Sequence, residues 1–365
     1  MLFLHNDVVA ELLTMEDCIR VQESAFRDLA RGLAAHRPRS DIYAPCERDD
    51  GYYRWGTVEG YSGGYLAIRM KSDITTWPRD QNGNWTEDKH CIAPGTWCGL
   101  IMLFAARNGE PLAIINDGYL QHMRVGGSAG IGAKHLARKD ASTVGLLGSG
   151  GMARTYIQAF CRVRPIRSAK VFSPTKANRE AFAAEMSAKL NIDIEPVATA
   201  EESVRGADIV ATCTSSMTPT LQPEWLEPGQ HVTMLGPKEL SPEVIARADV
   251  KITQDAGGLK FASTDAQKEV GHSPLAWVAG TPEERKRLPH KPGGSGFYVP
   301  LPDFVDFVNG RVEGRTSDEQ ITLYYNLGLM GLQFSSVSGH VYELAKKAGK
   351  GRELPTEWFL QDIRD

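Results

Sequence analysis

The sequence predicts an α/β chain in two units: a doubly wound parallel sheet with helices on both faces, and an α+β unit ahead of it. Three observations carry this. Hairpin patterns occupy the first hundred or so residues. From Ser142 onward short apolar runs alternate with helical patterns, which is how parallel strands joined by crossover helices read. The stretch "TVGLLGSGGMARTYIQAF", residues 143–160, reads as strand, glycine turn and helix.

Taken in order, Thr14-Met15-Glu16-Asp17 resembles a capping box, apolar residues then recur at helical spacing to Leu29, and Gly32 supplies a stop. "YYRWGTVEGYSGGYLAIRMKSDI" reads as two strands around a turn at residues 62–64. "GLIMLFAARNGEPLAIIND" is a second hairpin, because Asn108-Gly109 is a strong turn dipeptide between apolar flanks. Residues 119–138, "YLQHMRVGGSAGIGAKHLAR", have Gly and Ala spaced so that a helix can approach another backbone closely. In the second unit strands are expected at 143–147, 169–172, 208–213, 231–235 and 250–253. Helices are expected near 152–161, 178–189, 201–205 and 242–247. After Gly257 the chain is irregular and rich in Gly and Pro up to Pro302. A last helical stretch, 320–347, is apolar enough to return and pack on the first unit.

Composition bounds the classes of function. With 365 residues, 42% of them hydrophobic, and a formal net charge of −4, the chain can bury its own core and has no electrostatic case for binding nucleic acid or an anionic membrane. No apolar run is long enough to span a membrane, and the N-terminus carries early acids where a secretory leader has basic residues, so a cytoplasmic protein is expected. Cys18, Cys46, Cys91, Cys98, Cys161 and Cys213 show no CxxC spacing and read as free thiols of a reducing compartment. "HCIAPGTWC" fits no common zinc spacing, so no metal is expected.

Gly148, Gly150 and Ala153 form G-x-G-x-x-A between a strand and a helix. The first glycine makes the turn, the second lets backbone approach a pyrophosphate, and the small third residue lets helix and strand pack. The helix start offers free N–H groups to phosphate. A Rossmann-type nucleotide unit follows, with Gly148, Gly150, Gly151, Met152 and Ala153 as its pyrophosphate contacts. The second strand ends in "VFSPTKANRE", with no acid to grip a ribose 2′-hydroxyl. Ser173, Thr175, Lys176 and Arg179 stand there, and the two cations would attract a 2′-phosphate. That favours NADP, with NAD as the alternative and a solvated helix surface as the plainer reading of Lys176 and Arg179. Thr214 and Ser215, just past another strand, border the same cofactor or are ordinary turn hydroxyls.

Three stretches in order give a resemblance. "DVVAELLTMEDCIRVQESAF", "NGEPLAIINDGYLQHMRVGGSAGIGAKHLARKDASTVGLLGSGGMART" and "GRTSDEQITLYYNLGLMG" resemble segments of the ornithine cyclodeaminase/mu-crystallin family, and the likeness covers most of the chain. It implies a substrate-binding and dimerisation unit made of residues 1–120 and completed by 320–365, a nucleotide unit over 121–319, and a homodimer. It further implies that Lys71 and Arg124 are the catalytic pair holding a substrate carboxylate. Arg39 is the looser match for a further substrate-binding arginine, with Arg54 a second candidate. The residues themselves allow this, since buried cations need an anion or an acid beside them. Asp73 or Asp117 could equally be that acid.

The pattern also breaks. Cyclising members carry an aspartate after a late strand of the nucleotide unit. Here "HVTMLGPKELSPEVIARADV" is shorter and has no aspartate between Gly236 and Leu240, leaving Lys238 and Glu239 as the ionisable groups. Val125 replaces the usual threonine after the helix arginine. The expected activity is therefore an NAD(P)-dependent oxidoreductase acting on a C=N or C–N bond next to a carboxylate: an imino acid or ketimine reductase, or an amino acid dehydrogenase. The alternatives are a cyclodeaminase-like lyase that retains its cofactor, and a non-catalytic NADPH-dependent binder in the manner of mu-crystallin. Two stretches are longer than expected. Residues 75–99 hold Trp77, Trp85 and Trp97, either a bulky-substrate mouth or a flap held down by indoles. Residues 271–300 read as a lid.

Overall fold

The computed structural model describes residues 1–80, 83–236, 238–255, 275–278, 281–288 and 301–363. Among these, two sheets organise the chain. The first is an eleven-stranded mixed sheet. Its main path runs Leu275–Val278, Ser40–Ala44, Gly51–Ser62, Tyr65–Thr76, Cys98–Ala105, Pro111–Asn116, Leu2–Leu4 and Arg352–Glu353. Both expected hairpins are present, and the long one pairs in unbroken register from Gly51 with Thr76 to Ser62 with Tyr65. Period-2 alternation puts Val58, Ala67, Ile101, Leu103, Ala113 and Ile115 on one face, in a buried cluster with Phe26, Leu332, Phe334 and Val337. The last four come from two helices, Met15–Ala30 and Met330–Ala348, which cover that face. Each fully buried side chain of this kind stabilises the fold by roughly 1.5–3 kcal/mol. Thr14 caps the first helix by accepting from the Asp17 amide at 3.1 Å, worth about 1 kcal/mol.

The second sheet has seven strands, all parallel, in the order Asp193–Pro196, Ser168–Phe172, Thr143–Leu147, Ile209–Thr212, His231–Met234, Thr322–Tyr325, Val250–Thr253. The order reverses direction at Thr143–Leu147, so a crevice opens at the carboxyl ends of that strand and of Ile209–Thr212. The three strands beyond the reversal at 209–212, 231–234 and 322–325 are buried at every residue, as a sheet covered on both faces requires.

One expectation is corrected here, and one strand went unpredicted. The stretch 320–347 is not one helix. Thr322–Tyr325 is an inner strand of the parallel sheet, and the helix starts only at Met330. The run "TLYY" is short, apolar and β-prone, and the strong helical pattern downstream masked it. Asp193–Pro196 is an edge strand too short and polar to show a period. The lid expected over 271–300 falls largely outside the described residues. Within it, Leu275–Val278 adds in parallel to Ser40–Ala44, and Leu288 packs with Tyr43, Tyr52 and Trp77.

The helix Gly118–Leu136 joins the two units. A Cβ at Gly126 would fall 2.6 Å from the Thr155 backbone, and one at Gly130 would fall 2.9 Å from the Ala159 side chain. Small residues thus let this helix lie against Gly151–Val163, the helix that follows the glycine turn.

Candidate functional site

The strand Tyr65–Thr76 turns Arg69, Lys71 and Asp73 to the same face, all buried. Lys71 pairs in register with Gly56 on one neighbouring strand and with Gly99 on the other. A side chain at either glycine would collide with its neighbours: Asp41 and Arg39 at Gly56, Asp117 and the Trp97 ring at Gly99. The two glycines therefore leave room on either side of Lys71 that Asp41, Arg39, Asp117 and Trp97 occupy.

Most of those charges are matched. Arg54 donates to both Asp73 oxygens, at 2.9 and 2.7 Å, and lies 3.7 Å from Glu87. Lys71 Nζ is 2.6 Å from the same aspartate. Arg39 donates to Asp41 at 2.8 Å and Arg69 to Asp117 at 2.5 Å. Arg124 differs. Its guanidinium is buried and donates to two neutral amides, Gln121 Oε1 at 2.9 and 3.2 Å and Gln333 Oε1 at 2.6 Å, and among the described residues to no carboxylate. Aromatic rings tie the group together. Trp97 lies 5.3 Å from both Arg69 and Lys71, and Phe334 sits between Arg69 at 5.5 Å and Arg124 at 5.0 Å.

Burial and like charge shape the titrations. Burial, then Arg54 and Lys89, hold the Lys71 amine well below the usual lysine range. Burial and Arg69 pull Arg124 down to about 9. Burial would raise the Asp73 carboxyl, but Arg54 and Lys71 outweigh it and the net shift is downward. Asp117 shifts upward, because burial outweighs Arg69, Lys71 and Arg124.

The glycine turn meets the Arg124 helix through His122. His122, two residues before Arg124, brings its imidazole within 3.1 Å of where a Cβ at Gly151 would sit. Gly148 has φ +112°, a conformation that L side chains rarely adopt, and a Cβ there would strike the Cys213 carbonyl. Nothing lies within 4 Å of the Cβ position at Gly150, and Ala153 is fully buried against the sheet. These residues fit a dinucleotide: the turn is tight, the middle glycine faces open space, and the first-turn N–H groups of Gly151, Met152 and Ala153 have no partner within the helix. On the ribose side Ser149 donates to Ser173 at 3.0 Å, and Arg179 donates to the Ser173 carbonyl at 2.8 Å beside the Phe172 ring. Thr175 and Lys176 are exposed.

The remaining expected residues divide. Arg39, Arg54, Lys71 and Arg124 come together, but Arg54 commits its guanidinium to Asp73 and Glu87. Lys71 has the internal partner that its sequence neighbourhood allowed, Asp73. Thr214 binds Glu239 through both its amide and its hydroxyl, at 2.6 Å each, and Ser215 is exposed. Glu239 also accepts from Thr212, Leu235 and Gly236, so its carboxylate staples the loops after two neighbouring strands and is not aimed at a substrate. Of the three tryptophans, Trp77 is buried, Trp85 stacks 4.1 Å from Arg79, and Trp97 alone covers the charged cluster. The segment that bears them reaches the other unit, where Thr86 bridges Ser216 and the Met217 amide donates to the Trp85 carbonyl at 3.1 Å. Sequence reading passed over Arg69, although its two-residue spacing from Lys71 signals a shared face. Gln121, Gln333 and Phe334 gave no signal, because which helix face meets the cluster depends on packing.

Comparison with known proteins places the chain among relatives of similar fold. Delta(1)-pyrroline-2-carboxylate reductase of Bacillus cereus is 29% identical over 72% of this chain and 76% of its own. Alanine dehydrogenase of Archaeoglobus fulgidus is 26% identical over 97% of this chain and 98% of its own. Among solved structures, Thermococcus litoralis Delta(1)-pyrroline-2-carboxylate reductase in complex with NADH and L-proline superposes with a TM-score of 0.74 at 25% identity, covering 97% of this chain and all of that one. The model of the ornithine cyclodeaminase/mu-crystallin family matches residues 1–349, and the chain belongs to that family.

Proposed function

We propose that this chain is an NAD(P)-dependent oxidoreductase that moves a hydride between nicotinamide and the carbon–nitrogen bond of a small amino or imino acid. One observation carries the reading: Arg124 is a buried guanidinium held by amides rather than by an acid. Such a cation is costly unless an anion meets it, and a planar guanidinium clasps a carboxylate with two parallel hydrogen bonds. Pyrroline-2-carboxylate and alanine, named in the relatives, both carry a carboxylate on the carbon bonded to nitrogen, which supports this assignment.

A bound dinucleotide supplies or accepts the hydride. Gly148, Gly150, Gly151, Met152 and Ala153 would hold its pyrophosphate, and Thr214 and Ser215 would border it. We assign NADP as the preferred form, because Ser173, Thr175, Lys176 and Arg179 present no acid to a 2′-phosphate. Lys71 gives up a proton more readily than an ordinary lysine. That suits it to protonate the substrate nitrogen in reduction and to take the proton back in oxidation. Arg39 and Arg54, engaged with Asp41 and Asp73, orient the cluster around the substrate.

The lyase alternative is disfavoured by Glu239, the one carboxylate left in the stretch where cyclising members carry their aspartate, because loop amides and hydroxyls occupy it. The face of the first sheet that no described helix covers carries half-buried Ile68, Met70, Leu100, Met102, Phe104 and Ile114, and we propose that a second copy of the chain covers it. Free thiols at Cys18 and Cys213 suit a cytoplasmic setting.

The test is to follow NADPH absorbance with cyclic imines, and with 2-oxo acids plus amines. The expected result is consumption stoichiometric with product. Ammonia release without net change in absorbance would establish the lyase instead, and NADPH binding with no turnover on any imine would establish a carrier.

A further inference from the structure

Asp117 is fully buried at the start of the Arg124 helix. One carboxylate oxygen, Oδ2, accepts from Arg69. The other, Oδ1, is buried and has no hydrogen-bond partner among the described residues. It does not cap its own helix. It lies over Gly99, under the edge of Trp97, and Gly99 pairs directly with Lys71. Both Lys71 and Arg124 act on its charge. A buried acceptor left without a donor costs about 1–3 kcal/mol. Here the open acceptor lies within electrostatic reach of both the residue assigned to proton transfer and the residue assigned to the carboxylate.

We propose that Asp117 is a specificity-determining residue: its Oδ1 accepts a hydrogen bond from the substrate's nitrogen, so that the site takes C=N and C–N substrates in preference to their C=O and C–OH counterparts. An iminium or ammonium brings a cationic N–H donor, and the unfilled acceptor is satisfied by a charge-assisted bond; a hydroxyl can donate as well, but as a neutral group it makes a bond about half as strong and leaves the carboxylate's charge unmatched. A 2-oxo acid brings a carbonyl oxygen, so two acceptors face each other. A site built around a hydrogen bond of this kind rejects the partner that lacks it far more strongly than an apolar pocket rejects a misfit. Arg69 keeps the carboxyl oriented by holding the opposite oxygen, and its cation favours the charged form. This assignment rests on the carboxylate-clamp reading of Arg124 and extends it to the other end of the substrate.

The test uses matched pairs that differ only at the nitrogen: L-alanine and L-lactate, L-aspartate and L-malate, L-phenylalanine and L-phenyllactate. Each is titrated calorimetrically into the protein saturated with NADP⁺. Wild type should bind at least one amino acid more tightly than its hydroxy counterpart. Asp117→Asn, which keeps the size and replaces the open acceptor by an amide, should lower that preference about tenfold or more while hydroxy-acid affinity holds or improves. The double variant Asp117→Asn/Arg69→Gln removes both buried charges together and should show the same loss, which keeps the test open if the single variant does not fold. An amino-over-hydroxy preference unchanged in either folded variant overturns the proposal while leaving the clamp intact. Abolition of hydroxy-acid binding by Arg124→Ala supports the clamp separately. No binding of any acid to wild type overturns both.

Discussion

Gly99 stands directly across from Lys71 on the adjoining antiparallel strand, and the space its missing side chain leaves is filled by Asp117 and Trp97. The same strand pair thus sets the distance between the amine and the groups around it. Gly99→Ala should leave the sheet hydrogen bonds intact but push Asp117 and Trp97 aside. Misplacement of about an ångström in a positioned group can cost about 10²-fold in rate. The expected outcome is a loss of that order in kcat/KM with NADPH affinity unchanged, read by steady-state kinetics and cofactor fluorescence titration.

Removal of the clamp itself should separate substrate from cofactor. Lys71→Ala should lower turnover about 10²–10⁴-fold, the usual contribution of a positioned acid or base. Arg124→Ala should abolish saturation by carboxylate substrates. Both variants should bind NADPH almost as wild type does. Equal loss of cofactor binding in the two would remove them from the substrate site.

Cofactor choice should turn on the end of the second strand of the parallel sheet. Ser173→Asp places a carboxylate where Ser149 now meets the Ser173 hydroxyl, beside the backbone carbonyl that Arg179 holds. The NADPH/NADH ratio of kcat/KM should fall by about tenfold or more, since a like-charge repulsion of about 1.4 kcal/mol already gives that factor. An unchanged ratio would place Lys176 and Arg179 away from the ribose.

The pH dependence should report the Lys71 amine. Reduction needs it protonated, so the rate should fall as pH rises through its depressed pKa. Asp73 supplies negative charge that favours the protonated amine. Asp73→Asn should therefore move the alkaline limb of the reduction profile to lower pH. The same change strips Arg54 of its bidentate partner, and breaking a buried pair costs about 3–5 kcal/mol, so the melting temperature should drop as well. A limb that does not move would assign the titration to another group.

The assembly is testable on the open sheet face. Met102→Lys puts a charge among half-buried apolar side chains opposite the covering helices. Light scattering should show a shift from dimer to monomer with the near-ultraviolet spectrum retained. A variant that stays dimeric would place the contact elsewhere.

Much of this was legible because local rules agreed. The glycine turn, both hairpins and the capped helix at Met15 each rest on short-range chemistry that a sequence displays. Arg124 and Lys71 were legible through a family likeness and through their placement among small or apolar residues. The inner strand Thr322–Tyr325 was not, since four apolar residues before a long helix carry no period of their own. Nor was the fate of Glu239: five donors on four residues, from the ends of two neighbouring strands and the loops after them, converge on it, and only the fold brings them together.

The strand Thr322–Tyr325 ends four residues before the helix that carries Gln333 and Phe334, and in that short tether Asn326 donates to the Val125 carbonyl and the Tyr156 hydroxyl. The last strand of the nucleotide unit and the Gln333 bond to Arg124 are therefore joined by four residues of backbone, pinned to the helix that follows the glycine turn. Under the proposed function, widening the crevice to release product would draw on that same tether, and loosening of the grip on the substrate anion would be coupled to opening.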